Sequence, residues 1–336
     1  MNMGNEDSRN RALGALAGLA LGDALGMPTQ SMGASWIERA YGGITGLRDA
    51  IAEQPIAPNM PAGSVTDDTE QALLVARLII EGEGHIDPNS LSKTLLDWED
   101  DMRARGSLDL LGPSTKLALE QVRAGADIST TGRTGTTNGA AMRVTPVGVA
   151  HNAEGPHFTD YVYESCRVTH NTEHGFLSAY LVAAAVSFGI EGRTVREALA
   201  EAMDSAERVE RRGAWSPKAD VLARTRAAVD GCETGDEASF QQSLREVCGT
   251  SVEANESVAA AFAMAWRYAD EPLRALLTAA NIGGDTDTIA AMAGAMLGAG
   301  IGGAAFPQDL VGRVCEVSHL DLAPIADGLL EVRRTE

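Results

Sequence analysis

Two short acidic stretches hold the residues best suited to chemistry. Thr66-Asp67-Asp68-Thr69-Glu70 runs straight into the apolar QALLVARLII, and Gly283-Gly284-Asp285-Thr286-Asp287-Thr288 runs into IAAMAGAML. Each gathers hydroxyls and carboxylates where a loop enters an apolar helix. Helix capping explains one Asp or Thr at such a place, because its oxygen accepts an orphaned backbone N–H. It does not explain two adjacent acids in one stretch and two acids around a threonine in the other. Adjacent carboxylates repel, and neither stretch has a Lys or Arg within five residues. If the stretches meet in space, four carboxylates stand together without a counter-charge, which low dielectric makes costly. A hard divalent cation removes that cost. Oxygen-only donors, with no His or Cys beside them, select Mg²⁺ or Mn²⁺ over zinc, and four carboxylates neutralise two such ions. The Gly283-Gly284 pair suits a loop that lets backbone approach a ligand or metal closely.

The elements that must carry these stretches read as helices. Gly14, Gly18, Gly22 and Gly26 recur at every fourth residue in GALAGLALGDALG. That spacing lines them along one face, where another helix can approach closely and offset what glycine costs a helix. Periodicity predicts further helices over 70–81, 88–103, 113–124, 175–190, 195–210, 218–230, 239–247, 257–269, 272–280 and 288–299. No run alternates with period two for long enough to be a strand, and aromatic residues make up only 4%. The expected fold class is all-α. No linker, low-complexity run or solenoid repeat divides the chain, so residues 1–336 read as a single domain.

The formal net charge of −20 offers no basic stripe for nucleic acid or an anionic membrane, so neither is an expected partner. Cys166, Cys232, Cys248 and Cys315 lie far apart with no CxxC pair, and read as core residues in a reducing cytoplasm. Residues 1–11 are polar and lack a secretory apolar region. The apolar stretches 12–27, with Asp23 as its single charge, and 289–306, with none, are rich in Gly and Ala. They read as buried helices rather than bilayer spans.

Five motifs then occur in a telling order: GALAGLALGDALGMP, SVTDDTEQALL, TNGAAMRVTPVGV, VTHNTEHG and NIGGDTDTIAAMAGAMLGA. In these, over about residues 11–302, the chain resembles the ADP-ribosylglycohydrolase family, whose bacterial members include the dinitrogenase-reductase-activating glycohydrolases. The resemblance implies an orthogonal all-α bundle with two Mg²⁺ or Mn²⁺ ions at the bottom of a cleft. It implies that Thr66, Asp67 and Asp68 supply ligands from one side and Asp285, Asp287 and Thr288 from the other. It implies a substrate loop at Asn138, Gly139, Ala140, Ala141 and Met142, ahead of Arg143, whose backbone N–H groups face a phosphate or ribose. It also places His170 near the bound sugar. Read without the resemblance, Asn138-Gly139 is an ordinary turn and His170 a structural hydrogen-bonding residue. His174 matches no motif position and reads as structural.

Two departures bear on the substrate. The family's first motif commonly ends in an acid where this chain has Gln30, which can position a water or ribose but cannot take a proton. Protein-ADP-ribose hydrolases often carry an Asp where Leu110 stands here, with Asp109 one place off. The reaction class therefore transfers better than the substrate. The implied reaction is hydrolysis at the anomeric carbon of a small-molecule or protein-linked ADP-ribosyl group or riboside. It passes through an oxocarbenium-like state that carboxylates stabilise. Asp68 or Asp285 would orient the attacking water, Gln30 would position it, and Gly284 would lie against the substrate. A metal-dependent N-ribosidase for a small nucleoside-like molecule is the alternative that Gln30 and Leu110 favour. A silent binding relative is a second, against which all six metal-type residues count; a two-metal phosphohydrolase fits the ligands but not the motifs.

Overall fold

The glycine row of the first helix finds its partner far along the chain. In the computed structural model, which describes residues 3–107, 111–233 and 235–335, α1 (Met3–Gly26) lies against the late helix Thr286–Ile301. A Cβ on Gly14, Gly18 or Gly22 would come within 2.4, 2.1 and 2.2 Å of the carbonyl oxygens of Gly298, Gly294 and Ala290. On Gly26 it would fall 2.4 Å from the Cα of Asp287. Partner numbers fall as those of α1 rise, so the helices are antiparallel. No residue with a side chain fits such a seam, and every fourth position of α1 is glycine for this reason. The seam sets the end of α1 directly against the start of the second acidic stretch.

Between the seam helices run α2 (Ala34–Tyr41), α3 (Asp67–Glu81), α4 (Pro88–Ala104), α5 (Pro113–Arg123), α6 (Gly139–Met142), α7 (Thr145–Ala150) and α8 (Phe158–Cys166). There follow α9 (Glu173–Ile190), α10 (Val195–Arg208), α11 (Val221–Cys232), α12 (Glu237–Ser243), α13 (Ala254–Arg267) and α14 (Pro272–Ile282). The seam partner is α15 (Thr286–Ile301), and α16 (Gln308–Val317) and α17 (Leu322–Thr335) close the chain. Among the described residues there is no strand, only isolated bridges at Met32–Gly284, Thr137–Glu253 and Thr172–Ala214. The fold is all-α, as expected. One hydrophobic cluster runs from Ala12 to Leu330 and takes in α1, α9, α13 and α15. The apolar stretches of α1 and α9 are long enough to cross a bilayer, yet 94% of each is buried inside the fold.

The helices periodicity missed have identifiable reasons. α6 and α7 come from NGAAMRVTPVGVA, whose Gly and Pro read as turns, but every residue in both is buried and packing overrides local preference. α2, α8, α16 and α17 are short or mixed in polarity. α11 starts at Val221 rather than 218 because the Asp220 carboxylate accepts the Ala223 N–H at 2.8 Å. The helix expected over 239–247 is α12 followed by a π-helical turn, Leu244–Cys248. Asp109 and Leu110, which bear on the substrate expectation, lie outside the described residues. All four cysteines are free; Cys166, Cys232 and Cys248 are buried, and desolvation pushes the Cys166 thiol up to about 12.

Candidate metal centre

Asp23, one turn before the end of α1, organises the first acidic stretch. It accepts the Thr66 N–H at 3.0 Å and the Thr66 hydroxyl at 2.8 Å. It also accepts the Thr69 N–H at 3.1 Å and the Thr69 hydroxyl at 2.5 Å. Orphaned donors of the α3 N-terminus are thus met by a carboxylate from another helix. Burial still raises the Asp23 carboxyl to about 6 against the pull of these bonds. Asp23 was not among the residues expected in the site; its signal was there, as the one charge in the apolar stretch 12–27.

The two stretches meet at Asp68. Its carboxylate is fully buried, and its Oδ2 accepts the Thr288 hydroxyl at 3.2 Å and lies 3.3 Å from the Thr66 hydroxyl. Desolvation first, then the charges of Asp287, Asp23, Asp67 and Asp285, push its pKa well above the ordinary range. The other oxygen, Oδ1, is buried with no hydrogen-bond partner in the protein. Thr66, Asp67, Asp68, Asp285, Asp287 and Thr288 are therefore brought to one place from positions some 220 residues apart.

Capping accounts for little of this. Thr66 caps α3 through the Asp68 N–H, whereas Asp285, at the N-cap of α15, makes no side-chain cap bond. Asp285 instead accepts a hydrogen bond from Asn138 Nδ2, and the same amide donates to Ser257 Oγ at 3.0 Å. Burial raises the Asp285 carboxyl to about 6, eased first by Asn138 and then by Thr288 and Asp287. Asp67 is half-buried and accepts from Gln71 Nε2 at 2.9 Å. Among the described residues, no three His, Cys, Asp or Glu side chains already form a closed metal-ligand group. The donor chemistry nonetheless suits a hard cation: oxygen atoms only, an unpartnered buried carboxylate oxygen, and threonine hydroxyls that now lie on carboxylates.

The remaining predicted residues take differing places. Gln30 is buried beside the second stretch; Ser31 N–H donates to the Gly284 carbonyl at 2.7 Å, and Gln54 Nε2 donates to the Gln30 carbonyl at 3.0 Å. The Gln30 Nε2 has no hydrogen-bond partner in the protein. Gly284 takes φ +89°, where a Cβ would sit 2.2 Å from the Thr250 carbonyl oxygen. Its close approach is to the chain's own backbone. The segment expected as an open loop after Asn138 is one helical turn, with Gly139, Ala140, Ala141 and Met142 buried and the Met142 N–H committed to the Asn138 carbonyl at 2.9 Å. Asn138 itself reaches the centre.

His170 is fully buried, with Nδ1 2.8 Å from Thr169 Oγ1 and Nε2 3.1 Å from Thr137 Oγ1. Desolvation, then the nearby Arg143, hold its pKa well below 6.5, so the ring is neutral. With both nitrogens engaged, it braces the strand of chain that leads into Asn138. His174 lies at the start of α9, nearly buried, and desolvation lowers its pKa too. A cavity of about 430 Å³, lined by Met60, Ser64, Glu70, Arg105 and His319 among others, opens beside the entry to α3; the carboxylates of the centre do not line it.

Comparison with known proteins identifies the family. The family model for ADP-ribosylglycohydrolase matches residues 4–336. The chain is 33% identical over 331 residues to YegU, an uncharacterized protein of Escherichia coli (strain K12), covering 96% of this chain and 97% of that one. It is 26% identical over 343 residues to the ADP-ribosylarginine hydrolase Tri1 of Pseudomonas putida (strain GB-1), covering 96% of this chain and 81% of that one. A solved structure described as an ADP-ribosylglycohydrolase-related protein complex shares the fold, with a TM-score of 0.72 at 24% identity, over 97% of this chain and 99% of that chain. The chain belongs to the ADP-ribosylglycohydrolase family, whose members are hydrolases of ADP-ribosyl linkages.

Proposed function

We propose that this chain hydrolyses the glycosidic bond between a ribose and its leaving group, with two Mg²⁺ or Mn²⁺ ions held by Thr66, Asp67, Asp68, Asp285, Asp287 and Thr288. The observation that carries this reading is Asp68: fully buried, bonded to Thr288 of the other stretch, surrounded by four further acids, and with one oxygen unpartnered. When bound, such ions supply Lewis acidity toward ribose hydroxyls and a more acidic water.

The chain's own residues do the rest. Asn138 fixes the Asp285 carboxylate, which is thereby held to orient the attacking water; Asp68 offers its unpartnered Oδ1 for the same task from α3. The Gln30 amide positions water or ribose and takes no proton. Water adds to the anomeric carbon, the bond to the leaving group breaks, and the proton released passes to the leaving group. Carboxylate charge stabilises the oxocarbenium-like state between.

Gln30, where the family commonly carries an acid, supports a small riboside as the preferred substrate over ADP-ribosylated arginine. The test is kcat/KM on a small riboside panel and on ADP-ribosylarginine, wild type beside Gln30→Glu, in excess Mg²⁺. We expect efficient wild-type turnover of a riboside and slow turnover of ADP-ribosylarginine. The variant should raise the latter, since a positioned base contributes roughly 10²–10⁴-fold. Efficient wild-type turnover of ADP-ribosylarginine, unchanged or reduced in the variant, overturns the substrate reading. Release of phosphate without a free ribosyl product overturns the glycosidase reading itself.

A further inference from the structure

We propose that Arg143 is a positioning residue that ties the metal-holding side of the centre to the side around His170, and supplies a buried protein cation to its charge balance. The proposal rests on the metal reading above. Arg143 follows the segment expected to be a substrate loop, yet it is fully buried. A guanidinium so placed is costly unless its donors are met and its charge is answered. Its Nη1 donates to Gln71 Oε1 at 3.0 Å and its Nη2 donates to Thr169 Oγ1 at 2.6 Å, while its Nε is buried with no partner in the protein.

Both partners pass the constraint on. With its oxygen held by Arg143, the Gln71 amide must turn its NH₂ the other way, and Gln71 Nε2 donates to Asp67 Oδ2 at 2.9 Å. Asp67, whose carboxylate only accepts, asks for the same orientation, so the amide is held from both ends. On the other branch, the Thr169 oxygen accepts from Arg143, which leaves its own hydrogen for His170 Nδ1, 2.8 Å away. That makes Nδ1 the acceptor and places the ring proton on Nε2, which donates to Thr137 Oγ1 at 3.1 Å. One guanidinium therefore anchors an amide on a predicted metal ligand and, through Thr169, acts on the tautomer of the buried histidine. The charges fit as well. Asp23, Asp67, Asp285 and Asp287 all act on Asp68, making five acids; two divalent ions bring about four positive charges, and Arg143 brings one more. Burial lowers the Arg143 pKa to about 10, against the pull of Cys166 and Asp67, and the guanidinium stays cationic at neutral pH.

A merely structural arginine would change stability but not the metal affinity of the folded variant or the His170 tautomer. The test uses the full chain with Gln71→Met, Thr169→Val and Arg143→Lys, each checked for native helicity by circular dichroism. Mn²⁺ affinity is read by titration calorimetry and the His170 tautomer by ¹⁵N NMR. Outer partners of metal ligands typically shift affinity by about 10–100-fold. Gln71→Met should weaken Mn²⁺ binding by that amount and leave the Nε2–H tautomer in place. Thr169→Val should do the reverse, holding affinity within about two-fold while the tautomer becomes mixed. Arg143→Lys should do both, because an ammonium cannot hold two planar contacts at once; should it fail to fold, the other two variants still decide. Wild-type Mn²⁺ affinity in folded Gln71→Met, or a mixed His170 tautomer in the wild type, overturns the proposal. A wild type that binds no Mn²⁺ overturns the metal reading beneath it, and the proposal with it.

Discussion

The two acidic stretches share a sequence pattern, yet the protein supports them by opposite means. At α3 the ordering group is an anion: Asp23 accepts from the backbone and hydroxyl of both Thr66 and Thr69. At α15 it is a neutral donor: Asn138 bonds Asp285, while the Gly284 N–H bonds the Met32 carbonyl at 2.9 Å and straps the turn in place. Ordering by an anion adds charge where charge is already crowded: burial first, then Asp287 and then Asp23, push Asp68 well above the carboxylate range. Ordering by a donor relieves charge, and Asp285 rises only to about 6. The α3 side therefore depends more on a cation, and the α15 side more on its hydrogen bonds.

Breaking each side should show that difference. The largest effect is expected for Asp68→Asn, which should lower kcat by roughly 10²–10⁴-fold through loss of the water-orienting carboxylate. The same change should raise the melting temperature of the metal-free protein, because it removes a buried charge that nothing else neutralises. It should also abolish any gain in melting temperature on adding Mn²⁺. A drop in metal-free stability would place Asp68 in a structural role. Asn138→Ala should act more mildly, lowering activity by about 10–100-fold while two ions still bind. Activity within two-fold of wild type, measured at saturating Mn²⁺, would remove Asn138 from the machinery.

The pH dependence of the metal-free protein should be the smallest effect. Asp23 and Asp285 rise from near 3.8 to about 6 on folding, and Asp68 rises further. The folded state then binds more protons than the unfolded one in this window. Their contribution to stability is full below about pH 4 and is lost as pH rises through about 6. Denaturant unfolding in EDTA should show stability falling across that range. In saturating Mn²⁺ the trend should reverse, because ions and protons compete for the same oxygens. The same slope with and without Mn²⁺ would separate these carboxylates from metal binding.

Much of this was legible in the sequence, and the exceptions have physical causes. The glycine row announced a close helix partner, and the paired acids marked the two stretches that meet at Asp68; both are local patterns. That the partner is α15, so that the seam delivers Asp287 to the end of α1, is a long-range fact no local pattern contains. Asp23 was visible as a lone charge in an apolar stretch, but its role depends on donors at Thr66 and Thr69 that the chain brings up only on folding. Arg143 was hidden for the same reason: a single basic residue after NGAAM reads as surface, and its burial follows from the helical turn that packing imposes on that segment. His170 was expected near the sugar from the resemblance and as a structural hydrogen-bonding residue without it, and threonine contacts on both ring nitrogens fit the second reading.

The claim on which the rest depends is that the six oxygen-bearing residues hold two ions. Crystals grown with Mn²⁺ and measured for anomalous scattering test it directly. Two peaks about 3.5–4 Å apart, one toward Asp67 and Asp68 and the other toward Asp285 and Asp287, are the expected result. A single peak, none, or ions bound elsewhere while these carboxylates keep their threonine hydrogen bonds would contradict it.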